Sequence, residues 1–402
     1  MLRAASIIAL IALVALVACN SAPRAEPSHA RAWRDDLATL AATVAHEHPE
    51  PFFHLPEAEW KRSVAELDAK IPSLDDAHVI AALVRLVASV GDPHTMLGAW
   101  GSAGVYPVTF TWFDDGIFVT GAAEPWAIGK RLVGIGTKPL DEVLAAIAPL
   151  IAHDSPAGLH ARADDVLGDV ALLAGLDLGT LQGATFVLAG ADGTKRPLAV
   201  VPGKARAAVA LPAKLPLHLQ GPPYLYWNKY DEPNHLLYLA YDACEEDPKA
   251  GPFAKLAAGT LGFTDQHRVD RFVIDLRRNQ GGNSEIIKPL IDGLAARPVL
   301  AGKVYAIIGM HTFSSGMFDA IDLKREVHAT LVGGPTSGKP NAFGEIKLVE
   351  LPHSHFKLQY STKRFSFPDF PGDALVPDVV VPVTSADWFA GRDPALEAIL
   401  AR

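Results

Sequence analysis

The chain opens with an apolar run from Ala4 to Ala18, broken only by Ser6 and preceded by Arg3. As α-helix this run would reach roughly 22 Å, short of the ~30 Å hydrocarbon core of a bilayer, so it suits the h-region of a signal peptide better than a permanent span. Residues 19–31 lack apolar periodicity and predict a flexible tether. Three stripes follow, Trp33-Leu37-Leu40-Val44, Trp60-Val64-Leu67-Ile71 and Val79-Leu83-Leu86-Val87-Val90, the last ended by Gly91. Steps of three and four put each set on one helix face, which predicts a helical domain over 32–103. From 104 to 215 the texture changes to short segments between Gly and Asp-Gly turns: Val105–Trp112, Gly116–Thr120, Arg131–Ile135, Thr185–Leu188 and Pro197–Val201. With one helix through Leu140, Val143, Leu144 and Ile147, they predict a β-rich domain. Over 220–402, strands Phe272–Leu276, Val304–Ile308 and Ala329–Val332 alternate with helices through Ile286–Leu290 and Met317–Ile321. That rhythm predicts a βαβ layer, joined by a hairpin (Ile346–Leu351 with Phe356–Tyr360) and a last helix after Asp393-Pro394. The expected fold class is therefore multidomain α/β, α+β overall.

Composition narrows the function. The 402 residues are enough for two or three domains, and 49% hydrophobic with 20% charged residues is a globular balance. A net charge of -9 with no basic block argues against nucleic acid as a partner. The apolar run ends in Leu16-Val17-Ala18-Cys19, which resembles a bacterial lipobox. The resemblance implies that residues 1–18 are a lipoprotein signal peptide and that Cys19 is acylated, anchoring the protein to the cell envelope facing the periplasm. Asn20 is not the aspartate that commonly retains such proteins at the inner membrane, so the outer membrane is favoured. A plain signal peptide with a coincidental cysteine is the alternative. Cys244 then has no disulfide partner and reads as a small buried apolar residue.

The chemistry centres on Thr312-Phe313-Ser314-Ser315-Gly316-Met317. A serine between an apolar strand and a helix sits where free backbone N–H groups converge, and such donors stabilise a tetrahedral oxyanion. A simple N-cap serine is the competing reading. Two further segments weigh against it: Gly333-Gly-Pro-Thr-Ser-Gly338-Lys339, with Lys339 25 positions after Ser314, and Val273-Ile-Asp-Leu-Arg-Arg-Asn-Gln-Gly-Gly282, a strand running into a glycine turn. Together these resemble the C-terminal processing (tail-specific) serine peptidases, with weaker support from Ser361-Thr-Lys363 and Pro377-Asp378. The resemblance implies a Clp-protease- and crotonase-like catalytic domain over 220–402 and a PDZ-like module over 104–215, where Ile128–Leu140 resembles the strand-turn-helix after a PDZ groove. No convincing carboxylate-binding loop accompanies it. By the same resemblance Ser314 is the nucleophile, Lys339 the general base, and the amides of Ser315 and of Gly281 or Gly282 the oxyanion donors. A lysine is almost fully protonated at neutral pH, so this base would need desolvation or nearby positive potential.

The sequence departs from that family in two ways. Phe343 stands four residues beyond Lys339, where the family often has a glutamine that orients the lysine. Gly91-Asp92-Pro93-His94-Thr95 resembles the histidine-bearing turn of the tricorn-like branch, which implies His94 as an alternative base with Asp373 as its acidic helper. Histidine needs no large pKa shift for this work. A capping or core histidine is the plainer reading of His94, and between the two bases Lys339 is the expected one. Gly333–Lys339 also has P-loop spacing, but Pro340 replaces the Ser or Thr that would ligate Mg²⁺. His46, His48 and His54 are not a zinc motif, because Pro49 and Pro51 break the helix that would align them. The expected protein is a serine endopeptidase acting on protein or peptide substrates in the envelope, without metal or cofactor. The alternative is a binding protein of the same fold that has lost hydrolysis.

Overall fold

The computed structural model describes residues 28–402. The expected signal peptide, Cys19 and most of the tether lie outside the described residues. Helix α1 spans Ser28–Glu47, so positions 28–31, expected in the tether, are helical; α2 spans Glu57–Lys70 and α3 Asp76–Ala88. The stripes are their buried faces, with Leu37, Leu40, Val44, Trp60, Val79, Leu83 and Val87 at most 3% exposed. Asp75 caps α3 by accepting the His78 N–H. Just past it, Gly91 has φ +80°, and a Cβ there would lie 2.7 Å from the His54 ring. Only glycine fits, and its turn delivers Asp92–Thr95 into the short strand β1, Met96–Gly98.

The β-rich segment contains β2 (Val108–Phe113), β3 (Gly116–Ala122), β4 (Arg131–Ile135), β5 (Lys138–Pro139), α4 (Leu140–Ile147), α5 (Pro156–Leu167), α6 (Val170–Gly175), β6 (Ala184–Ala189) and β7 (Lys195–Val200). Its antiparallel sheet has the order β2-β3-β4-β6-β7, with β5 added to β4, and α5 lies beside the edge strand β2. Neither α5 nor α6 follows from the hydrophobic pattern. Val170–Ala174 of α6 is buried on every side, so it carries no amphipathic period. Helix α6 packs so closely on α3 that a Cβ on Gly175 would lie 2.2 Å from the Ala77 carbonyl oxygen. One continuous core joins α1–α3 to this sheet and its helices.

The remaining elements are β8 (Tyr226–Asp231), β9 (Leu236–Tyr241), α7 (Phe253–Thr264), β10 (Arg271–Asp275), α8 (Lys288–Ala295), β11 (Val304–Ile308), α9 (Ser315–Glu326), β12 (Thr330–Gly333), β13 (Phe343–Glu350), β14 (Lys357–Arg364), β15 (Val379–Val380), α10 (Ser385–Ala390) and α11 (Pro394–Leu400). Six strands form a sheet ordered β15-β12-β11-β10-β9-β8, parallel except at β8. Leu237, Leu239, Phe272, Ile274, Ala306 and Ile308 pack toward α7–α9, while Tyr238, Val273, Ile307 and Val332 pack toward α11. Fully burying one such large aliphatic side chain is worth about 1.5–3 kcal/mol, so both faces are strongly specified. The C-terminal ends of β10, β11 and β12 lie side by side, where open parallel sheets present their ligand sites. Apart from this sheet, β13 and β14 form an antiparallel hairpin that takes β1 as a third strand, with Met96 opposite Gln359 and Leu97 opposite Leu358. The architecture is thus the mixed, βαβ-layered α/β one expected.

Candidate active site

Strand β11 leads into the loop Gly309–Phe313, and Ser314 stands at the N-terminus of α9. The loop is pinned: the Thr312 hydroxyl donates to the Leu276 carbonyl at 2.8 Å, and the Phe313 N–H donates to the Asn279 carbonyl at 2.9 Å. Ser314 has φ +51° and ψ −129°, outside the regions that L-residues ordinarily occupy. Its side chain makes no capping hydrogen bond, so the N-cap explanation of this serine fails on geometry. Gly281, at φ +107°, lies against it; a Cβ there would sit 2.7 Å from the Ser314 Cβ and 3.0 Å from the Ser315 nitrogen.

The backbone amides around Ser314 divide into committed and free ones. Gly281 N–H donates to Asn279 Oδ1 at 2.9 Å, so it is not available as the expected oxyanion donor. Gly282 and Ser315 are different. Gly282 joins a parallel bridge with Cys244 whose two hydrogen bonds use the Gly281 carbonyl and the Asn283 N–H, which leaves the Gly282 N–H without an acceptor among the described residues. The Ser315 N–H heads α9 and likewise has none, while its hydroxyl donates to the Gly282 carbonyl at 2.7 Å and ties the two segments together. Asn279, fully buried, is the hub: its Nδ2 donates to the Tyr241 carbonyl at 2.9 Å, and its Oδ1 also accepts from the Cys244 thiol at 3.3 Å. Cys244 is buried and its thiol is pushed far up by burial, in keeping with a packing role.

His94 enters from the other side of the chain. Its carbonyl accepts from Gln359 Nε2, a contact between residues 265 positions apart, and its ring stacks on Phe313 at 4.4 Å, directly before Ser314. Ser314 and His94 line one cavity of about 1180 Å³. His94 is 9% exposed, and among the described residues neither of its ring nitrogens has a hydrogen-bond partner. Burial pushes its pKa down to about 4; Asp92 opposes this and Arg162 adds to it. The imidazole is therefore neutral at neutral pH and free to accept a proton.

Asp92 lies behind it, 3.9 Å from Nδ1 of His94 and 1% exposed. Its carboxylate accepts from the Ser361 and Thr95 hydroxyls at 2.6 Å, from the His94 N–H at 3.0 Å, and from Nε2 of His48 at 3.2 Å. Nδ1 of His48 accepts the Glu50 N–H, which fixes the proton on Nε2. Burial alone would raise the Asp92 carboxyl, but His48, His94 and the two hydroxyls outweigh it and hold it at about 2.

Lys339 is engaged by another partner. Its amine lies 2.8 Å from Oδ1 of the buried Asp154, on the loop before α5, and 5.7 Å from the Phe53 ring centroid; it does not line the cavity. Asp373 is exposed and, among the described residues, forms no hydrogen bond or ion pair with His94. Phe343, where a lysine-orienting glutamine is common in the resembled family, lines the cavity and packs on His48 at 4.8 Å. Among the described residues, no group of three His, Cys, Asp or Glu comes together to hold a metal ion. Asn279, Asp92 and His48 are the contributors that sequence reasoning missed. Asp92 and Asn279 both lie inside the quoted motifs, but nothing in a linear pattern reveals whom a short polar side chain bonds.

The cavity runs from Ser314 to the wall formed by β2 and α5. The edge of β2 is already occupied: the Phe110 N–H donates to Asp164 Oδ1 at 2.8 Å, and Arg206, paired with Asp164, donates to the Val108 carbonyl at 2.6 Å. A peptide cannot add there as a further strand without displacing this ion pair.

No protein-family model matches the chain, and no curated protein does. Among solved structures it is similar to mature CPAF complexed with lactacystin, with a TM-score of 0.65 at 14% identity over 92% of this chain and 97% of that one. Mature CPAF alone gives 0.63 at 13% identity over 92% and 96%. The photosystem II D1 C-terminal processing protease gives 0.43 at 15% identity over 90% and 98%. At these identities the likeness to CPAF is one of fold, and it extends over nearly the whole of both chains.

Proposed function

We propose that the chain is a serine peptidase that hydrolyses protein or peptide substrates through an acyl-enzyme on Ser314, with His94 as general base. The carrying observation is the combination at Ser314: a strained, uncapped serine in one cavity with two acceptor-free amides and a neutral, unbonded imidazole. In this reading the Ser314 hydroxyl attacks the scissile carbonyl and its proton passes to His94. The N–H groups of Ser315 and Gly282 stabilise the oxyanion, each worth about 10²–10³ in rate. The intermediate then collapses, His94 returns the proton to the leaving amine, and water repeats the sequence to free the acid. Asp92 favours the imidazolium that forms transiently. The ion pair with Asp154 is what argues against Lys339, since an amine so held must leave its partner before it can take a proton. The binding-protein alternative explains neither the strain at Ser314 nor the vacant ring nitrogens beside it.

A fluorophosphonate probe distinguishes these readings. Labelling is expected at Ser314, absent in Ser314→Ala, at least ~10²-fold slower in His94→Ala, and within about tenfold of the parent in Lys339→Ala. Slow labelling in Lys339→Ala with normal labelling in His94→Ala would reverse the assignment of the base. No labelling of a folded parent would remove the hydrolase reading altogether. We also read Cys19 as the lipid-bearing N-terminus of an envelope protein facing the periplasm. Expression in a bacterium with an alkynyl palmitate analogue is expected to label the protein, and a Cys19→Ser variant that labels equally would sink that reading.

A further inference from the structure

Arg162, on α5, lines the cavity; apart from its electrostatic effect on His94, it has no role in the chemistry just described. Its guanidinium carbon lies 5.5 Å from the Phe313 ring centroid, so it sits beside the residue that precedes the nucleophile. It is half-buried, yet among the described residues no carboxylate stands within ion-pair distance of it. Among the described residues its single hydrogen bond goes to the Met96 sulfur at 3.5 Å, a weak acceptor for a group with five N–H donors. Burial lowers its pKa, and Asp165 and Asp92 counteract this only from a distance. The neighbouring carboxylates are committed or remote: Asp164 is paired with Arg206, and Asp92 is held by four donors. Asp165, one turn along α5, lies beyond ion-pair reach. A guanidinium taken out of water without a carboxylate is costly, and its planar fork is suited to bind one.

We infer that Arg162 is a specificity-determining residue, a subsite beside the nucleophile that receives a carboxylate of the peptide substrate. The carboxylate is either the terminal one or that of an Asp or Glu side chain. The inference rests on the peptidase reading for what the subsite serves, but not for its existence. It is separate from the edge of β2, where the Asp164–Arg206 pair occupies the backbone groups a peptide strand would use.

Binding to the Ser314→Ala chain tests it without turnover. Four fluorescein-labelled decapeptide pools of randomised neutral residues serve as probes: one with a free C-terminus, one amidated, one amidated with a single internal Glu, and one amidated with Gln at that position. One carboxylate-bearing pool is expected to bind about 10- to 100-fold tighter than its neutral counterpart. That ratio is expected to fall to about one in Arg162→Met and to recover in part in Arg162→Lys, with thermal melts showing both variants folded. Preference for the free terminus identifies the terminal carboxylate, and preference for Glu identifies the side chain. Equal binding of all four pools, binding of none, or a preference that survives Arg162→Met overturns the inference. Fluorophosphonate labelling of the parent is read separately: Arg162-dependent selectivity in a chain that does not label keeps the subsite and discards the hydrolase.

Discussion

Ser314 and His94 are both held in states that local preference disfavours. A non-glycine residue at φ +51° and ψ −129° costs on the order of 1–3 kcal/mol, and the loop bonds of Thr312 and Phe313 hold it there. His94 is desolvated with no partner on either nitrogen. The groups facing it are Asp92 and Arg162, and its pKa lies at about 4 against an ordinary 6.5. As pH falls below about 6.5 the unfolded chain takes up this proton before the folded one does. Stability is therefore lost between about pH 6.5 and about pH 4, by ~3 kcal/mol from this residue. Asp92, ordinarily at 3.8 and held at about 2, withdraws its own contribution at still lower pH. Urea unfolding at pH 7, 5.5 and 4.5 is expected to show a steep decline in the parent and a shallower one in His94→Gln. Parallel declines would mean that the histidine is not buried neutral. On the proposed mechanism, with His94 as base, the acid limb of the rate profile is expected near pH 4.

At the scale of elements, the site depends on loops that secondary structure delivers but does not itself specify. The Asn279 side chain links the end of β9, through the Tyr241 carbonyl, to the Gly281 amide, while its backbone carbonyl accepts from Phe313. Gly316 approaches so closely that a Cβ there would lie 2.6 Å from the Asn279 carbonyl oxygen. Asn279→Ala would leave the Tyr241 carbonyl and the Gly281 amide unsatisfied in the interior, at about 1–3 kcal/mol each. The expected outcome is a lower melting temperature and fluorophosphonate labelling slowed by roughly 10²-fold in the fraction that remains folded. Labelling at the parent rate would show that the Gly281–Gly282 loop holds its shape without this hub. The β13–β14 hairpin plays the equivalent part for His94, since β1 pairs with β14 and Ser361 on β14 holds Asp92.

Across the whole molecule, the Lys339–Asp154 pair joins the loop after β12 to the loop before α5, with side-chain exposures of 25% and 3%. The Ser155 hydroxyl reaches the Ser337 carbonyl in the same seam, and a Cβ on Gly158 would lie 2.8 Å from that oxygen. Lys339 thus fastens the β-rich segment to the loop that follows the parallel sheet's strand β12. Lys339→Ala alone leaves Asp154 buried without its cation and is expected to cost about 3 kcal/mol. Asp154→Asn in the same chain should recover much of this loss, because the surviving partner is then uncharged. A double-mutant cycle by urea unfolding measures the coupling; additive losses would contradict it.

Much of this protein is written in its linear pattern. Helical stripes, alternating strands and the βαβ rhythm follow from periodicities of 3.6 and 2, because burial of one face is a local property of spacing. The serine turn and the glycine turn were legible for the same reason, since strand–loop–helix order alone places Ser314 at the N-terminus of α9; which glycine amide stays free was set by the Cys244 bridge and Asn279. Helix α6, buried on every side, left no period to read. Which nitrogen shares a cavity with the serine is visible only in the tertiary structure. Lys339 is near Ser314 in sequence, but its amine is captured by Asp154 from the loop before α5. His94, 220 positions earlier by residue number, arrives because β1 pairs with β14. Proton transfer depends on ångström-scale proximity and on desolvation, and both are set by contacts between distant segments that no local pattern encodes.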